Sequence, residues 1–324
     1  MRTVRFGRTG VQVPVISLGT WAHGGPNQVG ERSVGWTGHD DGLARAALRA
    51  AHAAGITHWD TADVYGDGRA ETLIGQAWDD VPRESVFLAT KVGWDPGSHG
   101  HYYHPDQIRA RLERSLTNLK TDVIDLHYLH HCDFGPDDRW LEDAIGLLRR
   151  FQREGKIRFI GLSDWDLGKI MRVIARVDPD VVQPYRNVID DEWESSGLAA
   201  WVAEHDLGVA FFSPLQHGLL LGKYTAPVEW PEGDFRRNVA AFRDAAALAR
   251  IGANKQRLEA RFAGLRQPVL NALLGALLAD APTACTLLGL RNPDQVRAAA
   301  EADAPLAAHD AAWVRELYRG LAGS

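Results

Sequence analysis

Residues 57–66 read THWDTADVYG: a short apolar run that ends in a carboxylate, Asp60, with a phenol, Tyr65, five positions on. Seven further runs of this kind lie along the chain: VISLGT (15–20), VFLATK (86–91), VIDLHYLH (123–130), IRFIGLS (157–163), DVVQ (180–183), VAFFSPL (209–215) and CTLLGL (285–290). Runs this continuously apolar read as strands of a parallel sheet covered on both faces. Between them the pattern turns helical. Helices are expected over 42–54, 105–119, 140–154, 166–176, 196–206, 242–263 and 268–279; in the third, Leu141, Ala144, Ile145, Leu147, Leu148 and Phe151 share one face. Pro105 suits a first helical turn, and Gly55 and Gly155 suit helix ends that need a positive φ. Eight strands, each followed by a helix or a long loop, fit a closed (β/α)8 barrel better than an open sheet. The expectation is an α/β fold of TIM-barrel type, one domain over 1–324, with an N-terminal β-hairpin (TVRFG, turn RTG, VQVPV) closing the barrel bottom.

Composition narrows the function classes. The chain has 324 residues, 45% hydrophobic and 24% charged, as a globular domain does. A net charge of -6, with no run of like charge, argues against nucleic-acid binding. The opening MRTVRFGRTG lacks the apolar core of a signal peptide, and no apolar stretch reaches membrane-spanning length. Two cysteines, Cys132 and Cys285, cannot make a disulfide framework, which favours a reducing cytoplasm. A small molecule is therefore the expected partner of a monomer or homo-oligomer. The longest irregular stretch, 223–241, reads as a lid or binding loop.

In a barrel of this type the active site lies at the C-terminal ends of the strands. Asp60, Tyr65, Lys91 and His130 come from the ends of strands two, three and four, so they can converge there. An ammonium beside a phenol favours phenolate, a carboxylate holds that ammonium in place, and an imidazole can orient a carbonyl oxygen. Together they can protonate a carbonyl while a second agent supplies hydride. Singly, each has a blander role: Asp60 or Asp63 as a cap, Tyr65 at a rim, Lys91 as a solvated charge, and His127, His130 or His131 as a hydrogen-bonded core or surface histidine. Four together at strand ends weigh against that. His130, His131, Cys132 and Asp133 are adjacent in sequence and so poorly placed to share one ion, and no metal site is expected.

These residues resemble the aldo-keto reductases. WDTADVYGDGRAE is similar to the segment with that family's catalytic Asp and Tyr (Asp60, Tyr65), ATKVGW to the one with its Lys (Lys91), and SLTNLKTDVIDLHYLH to the one ending in its His (His130). GKIRFIGLSD, SPLQHGLLLGKY and LLGLRNPDQV resemble its cofactor segments. The resemblance runs from FGRTGVQVPVISLGTW to RNPDQV and is nearest the bacterial branch of general stress and inositol-operon reductases.

The resemblance implies NADP (NADPH), with NAD as the alternative, bound by Thr20, Trp21, Ser163, Asp164, Gln183, Arg186, Ser213, Leu215, Gly218, Lys223, Gly289, Arg291 and Gln295. Arg291 would meet a 2′-phosphate. Three departures stand out: Asp164 replaces the usual Asn, Arg186 (or Tyr185 by a one-residue shift) replaces the ring that stacks on nicotinamide, and Ala298-Ala299 replace a Glu-Asn pair. Trp21, Trp94 and His131 are expected in the substrate pocket, while Trp59, Trp78, Trp140 and Trp313 are expected to pack between helices and barrel. Arg236 and Arg237 are expected to be solvated. The implied activity is NAD(P)H-dependent reduction of aldehydes or ketones, including sugar carbonyls, with Tyr65 as proton donor. Its rivals are a sugar (aldose) dehydrogenase running in reverse and a weakly catalytic nucleotide sensor like the channel β subunits.

Overall fold

The computed structural model describes residues 1–29 and 31–321; residue 30 and the last three residues of the expected 1–324 domain lie outside the described residues. Eight parallel strands close into a barrel: β1 (Ile16–Gly19), β2 (His58–Asp60), β3 (Phe87–Val92), β4 (Ile124–Leu129), β5 (Ile157–Asp164), β6 (Val181–Pro184), β7 (Gly208–Phe211) and β8 (Ala284–Gly289). Each pairs with its neighbours in sequence, and β8 pairs with β1. Every expected strand is present. The helices are α1 (Asp41–Ala53), α2 (Arg69–Ala77), α3 (Pro105–Asn118), α4 (Leu141–Arg153), α5 (Leu167–Val177), α6 (Leu198–His205), α7 (Ala245–Arg261), α8 (Pro268–Leu278), α9 (Pro293–Ala300) and α10 (Ala308–Tyr318). Three of these (α2, α9 and α10) were not expected from the sequence.

Local chemistry sets the helix ends. Asp40 accepts from Leu43 N at 2.8 Å to start α1, and Asp166 accepts from Lys169 N at 3.1 Å to start α5. Gly55 and Gly155 take φ of 78° and 74°, closing α1 and α4 as expected. The helix expected from 242 starts instead at Ala245, because Asp244 caps it and 240–243 form a 3-10 turn.

Side chains alternate between the barrel interior and the layer beneath the helices. In β2, His58 and Asp60 point inward while Trp59 points out and stacks on Trp78 at 5.5 Å, the packing role expected for both tryptophans. The inner layer includes Phe87 and Ala89 of β3, Leu126 and Tyr128 of β4, Val181 of β6, Ala210 of β7 and Cys285 and Leu287 of β8. The hairpin expected at the N-terminus pairs Thr3–Arg5 with Gln12–Pro14. Phe6 between them meets Phe87 edge-on at 5.9 Å and His58 at 5.4 Å, filling the barrel bottom. The polar chemistry is left to the other end.

Candidate active site

Strand register brings the four residues together. Asp60 sits opposite Gly19 of β1 and Ala89 of β3; Lys91 sits opposite Tyr128 of β4; His130 follows the last residue of β4. Lys91 Nζ donates to Asp60 Oδ1 at 2.5 Å, to the Thr61 carbonyl at 2.7 Å and to Tyr65 Oη at 3.4 Å. Gln183 Nε2 donates to the other Asp60 oxygen at 2.8 Å, and Thr20 Oγ1 donates to the Asp60 carbonyl at 3.0 Å. The His130 ring stands edge-on to Tyr65 at 5.9 Å. Asp60, Lys91 and His130 are all buried.

Burial governs the electrostatics. It pushes Asp60 up and Lys91 down, and their contact opposes both shifts, so the ion pair depends on the hydrogen bonds around it. Burial, then Asp60 and Asp63, raise Tyr65 well above a phenol's usual 10. This corrects the expectation that Lys91 lowers it: the ammonium is held closer to Asp60 and Thr61 than to the phenol. Tyr65 thus holds its proton. Burial, then Lys91 and His131, lower His130 well below 6.5, leaving a neutral ring whose Nδ1 has no partner. The Asp63 carboxylate is buried with Arg111 Nε 3.9 Å from Oδ2, and burial followed by Glu71 raises it to about 7 against the pull of Arg111.

Tyr128 was not singled out by the sequence, although strand alternation places it on the face of His130. Its ring lies 5.9 Å from Lys91 Nζ, and the Tyr65 ring lies 5.1 Å from the same atom, so the ammonium has two phenol neighbours. The same alternation sorts the expected cofactor residues. Gln183 points in to Asp60, so Tyr185 faces the mouth and Arg186 faces the outer layer. Arg186 is buried there over Phe211, forked by Asp191 and Asp280, with a further donor to the Leu277 carbonyl. The stacking role expected of Arg186 is corrected accordingly: its donors are taken and its plane is turned away. The oxygens of Asp164 accept from the backbone N–H of Cys132 and Asp166 at 2.7 and 2.9 Å. Ser163 Oγ donates to the Gln183 carbonyl at 2.9 Å.

The other expected cofactor residues ring the mouth. Ser213 and Gly218 take positive φ in the turn after β7, with Leu215 half-buried between them, and a Cβ at Gly218 would lie 3.9 Å from Lys223 Nζ. A Cβ at Gly289 would meet nothing, leaving the end of β8 open to close approach. Arg291, Asn292 and Gln295 line a cavity of about 270 Å³ with His39 and Asp40. Arg291 donates to the carbonyls of Thr37 and Gly38, and its own N–H reaches Gln295 Oε1 at 2.7 Å.

Trp21 stacks on Tyr65 at 6.0 Å, Trp94 stands edge-on to His130 at 5.9 Å, and His131 lies 4.9 Å from Trp94. Trp165 and Phe212, missed from sequence, extend this wall: Trp165 lies 6.2 Å from Trp94 and 4.9 Å from Phe212. The 223–241 loop is docked on the segment after β1, with Phe235 N donating to Gly35 O at 2.8 Å and Asn238 Nδ2 to Ser33 O at 2.8 Å. Arg237 is exposed as expected. Arg236 is not: it is buried, ion-paired with Asp234 and stacked 3.4 Å from the Trp230 ring. That corrects its expected solvation, since an aromatic face and a paired carboxylate replace water.

The model of the aldo/keto reductase family matches residues 15–319. The chain belongs to that family. It is 28% identical over 335 residues to the NADH-specific methylglyoxal reductase of Escherichia coli, covering 99% of both chains. To aldo-keto reductase YhdN of Bacillus subtilis it is 29% identical over 297 residues, 90% of this chain and 86% of that one. A 34% match to the NADP(+) aldo-keto reductase yakc of Schizosaccharomyces pombe spans 61% of this chain and 59% of that protein. Among solved structures, the glycerol dehydrogenase of Gluconobacter oxydans is similar with a TM-score of 0.80 at 26% identity, covering 97% of this chain and 94% of that one.

This aldo-keto reductase is therefore an oxidoreductase that works with a nicotinamide cofactor. The residues fit such a group: Gly289 leaves backbone open, Lys223 offers a cation beside Gly218, and Arg291 borders a cavity. When bound, the cofactor supplies or accepts the hydride.

Proposed function

We propose that this enzyme reduces the carbonyl of small hydroxylated aldehydes or ketones, sugars included, with NADPH. The observation that carries the reading is the Asp60–Lys91–Tyr65 chain of contacts at 2.5 and 3.4 Å beside a neutral His130. His130 orients the carbonyl oxygen, and Tyr65 gives it a proton. The phenolate left behind faces the Lys91 ammonium, which Asp60 and the Thr61 carbonyl hold in place. In the reverse direction the same phenolate accepts the proton of an alcohol. The flat rings of Trp21, Trp94, Trp165 and Phe212 suit the apolar face of a short sugar or a small aromatic carbonyl. Arg291 at the cavity edge supports NADPH; Asp40 in the same wall favours NADH instead, since a carboxylate repels a 2′-phosphate. Two free, buried cysteines support a reducing cytoplasm; among the described residues no helix is long and apolar enough to cross a membrane.

Tryptophan quenching by NADPH and NADH separately, followed by turnover on a panel of aldehydes, ketones and aldoses, tests the reading. NADPH is expected to bind more tightly, with Arg291→Ala removing the preference. Tyr65→Phe is expected to bind nucleotide normally and turn over about 10²–10⁴-fold more slowly. Turnover that survives Tyr65→Phe would overturn the proton-donor role. Failure to bind either nucleotide would overturn the whole reading.

A further inference from the structure

The loop from β3 to α3 gathers three metal-ligating side chains that the reductase chemistry does not use. His99, His104 and Asp106 each present a ligand atom within 4.8 Å of the other two, and no other such group of three occurs among the described residues. The His99 and His104 rings lie face to face at 4.8 Å and 8°. In sequence they are spaced H-x4-H-x-D. The sequence predicts no metal site: the adjacent His130–Asp133 residues are poorly placed to share one ion, and the spacing of His99, His104 and Asp106 matches no familiar ligand pattern.

Local hydrogen bonds fix the loop backbone that carries these side chains. Asp95 Oδ1 accepts from Gly97 N at 2.8 Å, and its carbonyl accepts from Gln107 Nε2 at 2.8 Å, tying the start of the loop to α3. His99 N donates to Pro96 O and His104 N to His101 O, each closing a tight turn. The ring of Trp140 packs on His104 at 5.0 Å and backs one side of the site. Asp106 lies 4.0 Å from His104 Nδ1, while its competing partner Arg109 is an exposed ion pair worth little.

We infer that His99, His104 and Asp106 form a binding site for a divalent transition-metal cation of the zinc class on the lip of the barrel mouth. Two imidazoles and one carboxylate suit zinc, cobalt or nickel; magnesium and calcium prefer all-oxygen sets. Bonds of about 2.0–2.2 Å require the three donors to close to roughly 3.3 Å of one another, which side-chain rotation at the exposed His99 and Asp106 and the half-buried His104 allows. The remaining positions fall to water. The bound ion clasps the loop that begins at Trp94, the residue edge-on to His130, so it stiffens one wall of the substrate pocket.

Cobalt(II) titration of the purified enzyme, read by visible absorption and by calorimetry with zinc displacement, tests the site. The expected result is one ion per chain, with binding lost in His99→Ala and in His104→Asn. The second variant keeps an N-cap for α3, where His104 now accepts from Asp106 N, so loss of binding there does not reflect a frayed helix. Asp106→Asn, which keeps an oxygen donor but removes its charge, is expected to bind more weakly than the unaltered enzyme. Absence of binding to the unaltered enzyme would overturn the inference. So would binding that survives both histidine substitutions.

Discussion

Arg186 shows how one residue changes meaning between sequence and structure. Counted from Gln183 it occupies a cofactor position; in the barrel it is a buried cation between Asp191 and Asp280, over the rings of Phe211 and Trp193. Arg186→Ala would leave two carboxylates without their guanidinium, although Asp280 keeps Arg315 at 3.1 Å. Breaking a buried pair from one side costs about 3–5 kcal/mol, so denaturant unfolding should show a loss of that order. Nucleotide affinity of the folded variant should not change. A folded variant of normal stability with weakened cofactor binding would return Arg186 to the site.

Strands β4 and β5 are paired neighbours, and Tyr128 lies directly opposite Gly161 in their register. A Cβ at Gly161 would fall 2.1 Å from Tyr128 Cδ1, so only glycine at this position in β5 leaves room for the phenol ring, whose centroid lies 5.9 Å from Lys91 Nζ. Gly161→Ala should therefore displace the ring and cost about 1–3 kcal/mol by overpacking. Turnover should fall with it, because the ammonium loses one of its two aromatic neighbours. Replacing the ring as well, in Gly161→Ala/Tyr128→Leu, should recover stability but not full turnover. A single Gly161→Ala variant as stable as the parent would show that the ring has room to move. The helices that sequence patterns missed fail at this scale too. α2 is nine residues long and α9 is eight, too short to repeat a period convincingly, although α9 carries a readable start in Asn292, which accepts from Gln295 N at 2.9 Å, and Pro293.

Across the whole molecule, buried neutral histidines set the acid limit. Burial lowers His58 to about 3, with Lys91 adding to the shift, and lowers His127 and His217 to about 4. Each is protonated near 6.5 once unfolded, so the unfolded chain binds more protons between pH 6.5 and 4. Stability is complete above 6.5 and falls with pH, by up to about 1.4 kcal/mol per unit and group. Asp63 acts in the opposite sense: its raised value of about 7 favours the folded state at low pH and loses that contribution as pH rises from about 4 to 7. Three histidines outweigh one carboxyl, so melting temperature should drop from pH 7 to 4.5, and His127→Leu should flatten the slope. A melting temperature indifferent to pH over this range would refute the assignment of these rings as neutral.

The strand runs, their order and the strand-end Asp60, Lys91 and His130 are legible in the sequence because they are local. Apolar continuity marks a doubly covered strand, and position at its end marks the face where function gathers. Which way a side chain points beyond the strand end is decided only by tertiary register. Arg186 turned to the outer layer over Phe211, Trp165 and Phe212 joined the aromatic wall beside Trp94, and Arg236 sank against Trp36 and Trp230. His99 and His104, too, became neighbours only once the loop backbone folded them together. Sequence spacing counts residues, whereas contact depends on alternation, pairing register and the loops that close over the barrel, and those are settled by packing.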